Sequence, residues 1–296
     1  MSGKNLIQYL DEPVIQERGI IAAVLRLDKL HPVVSGNKVF KLKYYLKEAT
    51  LRQKNSIITF GGAFSNHLVA AAFTAKEHNM SSIGFVRGEE PRTPSDGLIE
   101  CEKYGMKLVY LNREEFDAIN IEAYSSTYPD SMVIPQGGYG RLGMMGAKEI
   151  MDIPGVESFD IVMAACGTGT MSAGLLSGLA PYQQLLLVSV LKNNFSICDE
   201  IDQLLMKDET NNRGIEYSFD FHFGGYAKKN QVLFETMNQF YKIHQVPTDF
   251  VYTGKLVHAF YSMLEAGRFP KGSKVMLIHS GGLQGNRSLK NNELIF

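Results

Sequence analysis

The sequence predicts an α/β protein with two open, mostly parallel twisted sheets flanked by helices, a smaller unit being inserted in a larger one. Three observations carry that expectation. Short, nearly continuous apolar runs such as Asp160 to Ala165 and Lys274 to His279 have the character of strands buried on both faces. Segments with apolar residues three and four apart alternate with these runs from about residue 39 onward. Glycine-rich turns close several of the runs, and ligands of open parallel sheets bind beyond such strand ends.

In chain order, Val39, Leu42, Tyr45 and Leu46 mark a helix, and Ser56 to Phe60 a strand that ends in Gly61-Gly62. His67 to His78 is an alanine-rich helix, Ser82 to Val86 a strand, Ser95 to Tyr104 a helix and Lys107 to Leu111 a strand. Met132 to Ile134 leads through a glycine-rich turn to a helix over Leu142 to Met151. The strand Asp160 to Ala165 is followed by a helix over Thr170 to Leu179, then by a strand over Leu185 to Leu191. A helix containing Leu256, Phe260 and Met263 precedes the last strand, Lys274 to His279. The turn at residues 54 to 55 and the Gln136 to Gly140 stretch are the best boundaries. They give a smaller α/β domain over 55–135, and a larger one over 1–54 plus 136–296.

Bulk composition narrows the function classes. The 296 residues are 45% hydrophobic and 21% charged, as in an ordinary globular protein. Thirty basic residues against 31 acidic ones leave a net charge of -1, which excludes a cationic field for nucleic acid or an anionic membrane. Cys101, Cys166 and Cys198 are too few and too widely spaced for a disulfide framework, and fit a reducing compartment. No apolar run nears the roughly 20 residues that span a bilayer, and no signal peptide is recognisable, so a cytoplasmic protein is expected. No histidine and carboxylate spacing predicts a metal site, and no Gly-x-Ser-x-Gly elbow predicts a hydrolase.

The chemistry-bearing residues cluster at the turns. Ser35-Gly36-Asn37-Lys38 delivers a lysine to the first turn of a helix, with Asn37 as the expected N-cap and Lys38 near the first helical position. The positive end of the helix dipole opposes a charge there and favours the neutral, nucleophilic amine. A solvated lysine would show the same spacing. Gly167-Thr168-Gly169-Thr170, between a strand and a helix, forms a phosphate cup from backbone amides and hydroxyls, or a tight turn with no ligand. Gly61 to His67 is a second such turn, where Ser65 caps the next helix or Asn66 touches a cofactor or a substrate carboxylate. Tyr226, Tyr252 and His279 can each be a packing or strand-end residue with a satisfied polar tip. Together, a Schiff-base lysine, a phosphate cup, a Ser-Asn turn and two tyrosines describe pyridoxal 5'-phosphate held in an α/β protein.

With those residues in place, the chain resembles the 1-aminocyclopropane-1-carboxylate deaminase and D-cysteine desulfhydrase family of fold-type II pyridoxal-phosphate enzymes. The resemblance runs over roughly residues 26 to 283 and its motifs occur in the family order. It implies that Lys38, in Gly36-Asn37-Lys38 followed by Lys41-Leu42, is the Schiff-base lysine. It implies too that Ser65 and His67 lie near the substrate and that Asn66 bonds the cofactor's phenolic oxygen. Gly167, Thr168, Gly169 and Thr170 match the phosphate cup, and Tyr226 and Tyr252 the two active-site tyrosines. A homodimer is implied as well. Two positions depart from the deaminase pattern. Thr253 stands where deaminases carry glutamate, and Ser280 where they carry leucine, which leans toward a desulfhydrase. One of these two hydroxyls is expected at the pyridine nitrogen, Ser280 by preference. The region before Lys38 is shorter than is usual in the family, which trims one wall of the site. The expected reaction is β-elimination from a small amino acid to pyruvate and ammonia. The alternatives are ring-opening deamination, or cofactor binding without turnover.

Overall fold

The computed structural model describes residues 5–205, 214–289 and 293–296. Its strands form two sheets flanked by helices. The larger holds β1 (Ile7–Leu10), β2 (Ile21–Arg26), β7 (Ile161–Cys166), β8 (Gln184–Ser189), β9 (Gly214–Ser218) and β10 (Lys274–His279), in the order β1-β2-β10-β7-β8-β9. Only β1 pairs antiparallel, on the outer edge of β2. The smaller holds β3 (Ser56–Gly62), β4 (Ser81–Arg87), β5 (Met106–Leu111) and β6 (Ser131–Ile134), in the order β5-β4-β3-β6, all parallel.

The helices are α1 (Pro13–Glu17), α2 (Asn37–Leu51), α3 (Asn66–Glu77), α4 (Asp96–Lys103), α5 (Arg113–Asp117) and α6 (Ile121–Thr127) in the first half. In the second half come α7 (Arg141–Lys148), α8 (Thr170–Gly178), α9 (Ile197–Leu204), α10 (Gln231–His244) and α11 (Thr253–Glu265). None is long and apolar enough to cross a membrane among the described residues.

Side-chain alternation along the buried strands gives each sheet apolar packing on both faces. Leu25, Ala164 and Met276 point toward α7, α8 and α9, whereas Val24, Met163 and Leu277 point toward α10 and α11. On the smaller sheet Val86 packs with Leu68 and Leu98, and its neighbour Phe85 with Phe60 and Phe116 on the opposite face. Each such side chain contributes about 1.5–3 kcal/mol through burial.

Helix α2 belongs to both halves. Its Phe40 enters the core of the larger sheet, while Leu42 and Tyr45 pack with Ile57 and Ile134 of the smaller one. Glycines let its neighbours come close. A Cβ at Gly146 of α7 would sit 2.0 Å from the Phe40 carbonyl oxygen, and one at Gly174 of α8 2.7 Å from that of Met144. Thus α2, α7 and α8 stack backbone to backbone, which fixes the start of α2 relative to the start of α8.

Two boundaries differ from expectation, one for a local reason and one for a tertiary one. Helix α7 ends at Lys148 because the chain tightens into i→i+3 bonds, Glu149 to Gly146 and Ile150 to Ala147 at 3.1 Å each. The helix of Lys38 is capped by Gly36 rather than Asn37, so Lys38 is its second residue. Gly36 has φ +67, and a Cβ there would lie 1.9 Å from the Ser280 carbonyl oxygen.

Gly146→Val should destabilise the protein by about 3 kcal/mol through overpacking against the Phe40 backbone, read as a lowered midpoint in urea.

Candidate active site

The carboxyl ends of four parallel strands converge on one cavity. Asn66 follows β3, Gly137 follows β6, Gly167 to Gly169 follow β7, and Ser280 to Gly282 follow β10. Lys38 and Lys41 reach in from the first turns of α2, and Tyr252 from the N-cap of α11. Asn37, Met171 and Ser172 complete much of the wall.

Lys38 Nζ donates to Asn37 Oδ1 at 2.8 Å. Burial lowers its pKa to about 8, against an opposing pull from the Asp249 carboxylate. Desolvation is therefore the main reason that the neutral amine is favoured here. Lys41, one turn on, is 4% exposed and donates only to the Gly137 carbonyl at 3.3 Å. Burial and the neighbouring Lys38 ammonium hold its pKa well below the ordinary lysine value.

The β7–α8 turn has the features of an anion cup. Gly169 caps α8 with φ +74, and no side chain satisfies the first amides of that helix. The hydroxyl of Thr170 is fully buried and lacks a hydrogen-bond partner. A Cβ at Gly167 would stand 3.0 Å from Tyr252 Cε1, a tight contact that would press on the tyrosine ring. Thr168 and Gly169 line the cavity, and Thr170, between Gly169 and the lining residue Met171, opens α8.

The Ser-Asn turn divides its residues between two spaces. Asn66 faces the cavity and donates through Nδ2 to the Gly282 carbonyl at 3.3 Å. Ser65 is the N-cap of α3, accepting from the Leu68 amide, and lines an adjoining cleft with Phe64, Ser95 and Arg287. His67 turns away from both spaces. Thr59 Oγ1 donates to the Ile134 carbonyl and so accepts from His67 Nε2, each at 2.8 Å. That leaves Nδ1 buried without a partner, and burial plus the two lysines keeps the ring neutral.

Of the two hydroxyl residues, only Ser280 lines the cavity. Thr253 is 1% exposed, donates to Asp249 Oδ2 at 2.6 Å and accepts from the Asp249 amide at 2.7 Å. Its hydroxyl is fully committed. Asp249 also accepts from the amides of Val251, Tyr252 and Thr253, which sets the turn that presents Tyr252. Burial, followed by Tyr226 and Asp249, raises the Tyr252 phenol well above its ordinary value. Tyr226, 59% exposed, packs edge-on to Tyr252 with ring centroids 6.3 Å apart.

Asp249 and Lys41 are site residues that sequence reasoning missed. Lys41 was visible only as part of a motif, with no sign that it faces inward. An aspartate four residues before Thr253 is a recognisable helix-start signal, but its position beneath the cavity is not. Among the described residues, no carboxylate lines the cavity and no cluster could hold a metal ion.

This set fits pyridoxal phosphate. Lys38 offers a poised amine for the aldehyde. The uncapped helix, the orphaned Thr170 hydroxyl and Lys41, which has no carboxylate bonded to it, fit a phosphate. The comparisons agree. A family model described as pyridoxal-phosphate dependent enzyme matches residues 12–281. The chain is 28% identical to a Thermotoga maritima protein whose name provisionally makes it a 1-aminocyclopropane-1-carboxylate deaminase, over 94% of each chain. It is also 28% identical to the mitochondrial bifunctional D-cysteine desulfhydrase/1-aminocyclopropane-1-carboxylate deaminase of Arabidopsis thaliana, over 85% of this chain and 70% of that protein. The solved structure of an ACC deaminase homologue superposes with a TM-score of 0.78 at 23% identity, covering 95% of this chain and 90% of the other. With 270 of its residues inside one family model and the amine and anion cup in a single cavity, this chain belongs to the pyridoxal-phosphate dependent enzymes.

Proposed function

We propose that the protein is a D-cysteine desulfhydrase-like lyase, converting a small β-substituted amino acid and water to pyruvate, ammonia and the β-leaving group (hydrogen sulfide from cysteine). The observation that carries this reading is a cavity lined by the Ser280 hydroxyl and by no carboxylate. A carboxylate at the ring nitrogen would hold it protonated and strengthen electron withdrawal. A hydroxyl leaves a weaker sink, sufficient for expelling a thiolate whose parent thiol has a pKa of about 8.5. Thr253 is spent on Asp249, so Ser280 is the hydroxyl assigned to the nitrogen.

Bound in the cavity, pyridoxal phosphate supplies an aldehyde for amines and a conjugated ring that draws electrons from the α-carbon. Lys38 Nζ would hold the cofactor through its aldehyde and, as a free neutral amine, would take the substrate's α-proton. Gly167 to Thr170 and Lys41 hold the phosphate. Asn66 bonds the cofactor, while the Ser65 turn orients the substrate carboxylate from the adjoining cleft. Tyr252, edge-on to Tyr226, would deliver a proton to the departing sulfur; its raised pKa keeps that proton in place at neutral pH. His67 acts from beneath, through Thr59, as a support of the turn rather than as a substrate contact.

Deamination of 1-aminocyclopropane-1-carboxylate is the second reading, favoured by the bifunctional name of the Arabidopsis relative. We further propose that residues 55–135 form a domain inserted between 1–54 and 136–296. The enzyme would work as a cytoplasmic homodimer, a reading supported by the family resemblance and by three free cysteines.

Release of 2-oxo acid should be measured in parallel, as pyruvate from D-cysteine and L-cysteine and as 2-oxobutanoate from 1-aminocyclopropane-1-carboxylate. D-cysteine is expected to turn over, with Tyr252→Phe slower by about 10²-fold. Release from the cyclopropane alone would sink the desulfhydrase reading.

Lys38→Ala should lose the adduct trapped by borohydride and at least about 10³-fold in turnover, since one residue both holds the cofactor and moves the proton.

Because the neutral amine is the reacting form and Lys38 titrates at about 8, cofactor uptake by the stripped protein should climb with pH and level off above that value. A rise continuing toward the ordinary lysine pKa of about 10.4 would contradict the burial argument.

A further inference from the structure

Lys255 is a buried cation that has no part in the chemistry described above. It is the third residue of α11 and is 0% exposed. No carboxylate bonds it. Its Nζ donates to three backbone carbonyls, Gly225 at 2.7 Å, His222 at 2.9 Å and Val190 at 3.4 Å. An ammonium has three donors and no acceptor, so this cage uses it completely.

The three carbonyls come from places that matter to the site. Val190 directly follows β8. His222 and Gly225 lie in the turn that carries Tyr226. That turn has no helix or strand of its own, and four of its residues adopt left-handed backbone conformations: Phe223 (φ 54), Gly224 (φ 96), Gly225 (φ 123) and Ala227 (φ 52). Such a path is costly for Phe223 and Ala227 and persists only where surrounding contacts hold it. The Lys255 bonds on either side of Phe223 and Gly224 are two such contacts. Lys255 also lies three residues after Tyr252, so a single ammonium ties the helix presenting one tyrosine to the turn presenting the other.

We propose that Lys255 is a positioning residue that sets Tyr226 against Tyr252 at the mouth of the cavity. The inference rests on the tyrosine roles assigned above. It adds that the proton-delivering pair is assembled by Lys255 and not by the packing of the rings alone, which touch only edge-on with Tyr226 largely in solvent. Burial lowers the Lys255 pKa to about 8, with Asp249 opposing, so the brace is charged at neutral pH.

The test uses Lys255→Met, close in volume but without donors, in the wild-type and Tyr226→Phe backgrounds of the cofactor-loaded protein. Two readouts are taken. The first is kcat and KM for pyruvate release. The second is tryptic cleavage after Lys228 and Lys229, exposed residues just beyond the turn.

Lys255→Met should keep the bound-cofactor absorbance and lower kcat about 10- to 100-fold with little change in KM, as misplacement of a catalytic group does. In the Tyr226→Phe background the same substitution should cost almost nothing further. Cleavage at 228–229 should quicken by roughly tenfold while other tryptic sites keep their rates. Equal losses of kcat in both backgrounds, or unchanged cleavage, would overturn the proposal. If the protein turns over none of the amino acids tried, the functional reading fails but the cleavage readout still decides the role of Lys255. If Lys255→Met does not fold, Lys255→Gln, which keeps two donors, takes its place. Failure of both to fold would make Lys255 a residue of global stability and would equally overturn the assignment.

Discussion

A single close crossing of two backbone turns underlies this site. Gly36, at the cap of the Lys38 helix, presses against Ser280-Gly281 at the end of β10, about 240 positions away in the chain. The Asn37 amide donates to the Ser280 carbonyl at 3.0 Å, and a Cβ on either glycine would strike the other turn's backbone. Neither position tolerates a side chain, because both adopt positive φ as well as lying in contact. The crossing makes Lys38 and Ser280 neighbours. It also anchors α2, on which α7 and then α8 are stacked through Gly146 and Gly174. The amine and the anion cup are thereby held in register by backbone contacts, which are stiffer than any side-chain contact between them.

Electrostatics then follow from burial. The Lys38 ammonium disfavours charge on Lys41, and Asp249 is the carboxylate that opposes the loss of charge at Lys38 and Lys255. Its four accepted bonds from the α11 turn are what allow an uncompensated carboxylate to stay buried. Lys41 has no such relief within the protein, and the cup beside it lacks a cap. An anion resolves both deficits at once. This is the physical sense in which the empty-handed groups of the cavity specify a phosphate.

Much of the fold was legible because its strands are buried on both faces and its helices present one face each. The runs at Ile161–Cys166 and Lys274–His279 are read directly from their continuous apolar character. The antiparallel edge strand Ile7–Leu10 is not, since it is only four residues long, with Leu10 buried, Tyr9 exposed and the first two half-buried, and carries no alternation. Helix α10 is absent from the expected elements although Leu233, Phe234, Met237 and Phe240 repeat at helical spacing and are buried. The expected N-cap at Asn37 moved to Gly36 because the tertiary crossing, not the side-chain preference of asparagine, decides where α2 begins.

The sequence by itself determined the order of motifs, the class of cofactor and the amine that would hold it, because glycine turns and apolar runs are local features. Tertiary structure decided which of several equivalent-looking groups face inward. Thr253 and Ser280 are both hydroxyl residues beside motif glycines, yet one is consumed by Asp249 and the other lines the cavity. His67 adjoins Asn66 in the chain, yet successive residues of a helix start point in different directions, and only Asn66 reaches the site. Lys41 and Lys255 resemble surface lysines until the fold buries them. Orientation and desolvation depend on what packs against a residue from distant parts of the chain, and a linear pattern does not contain that information.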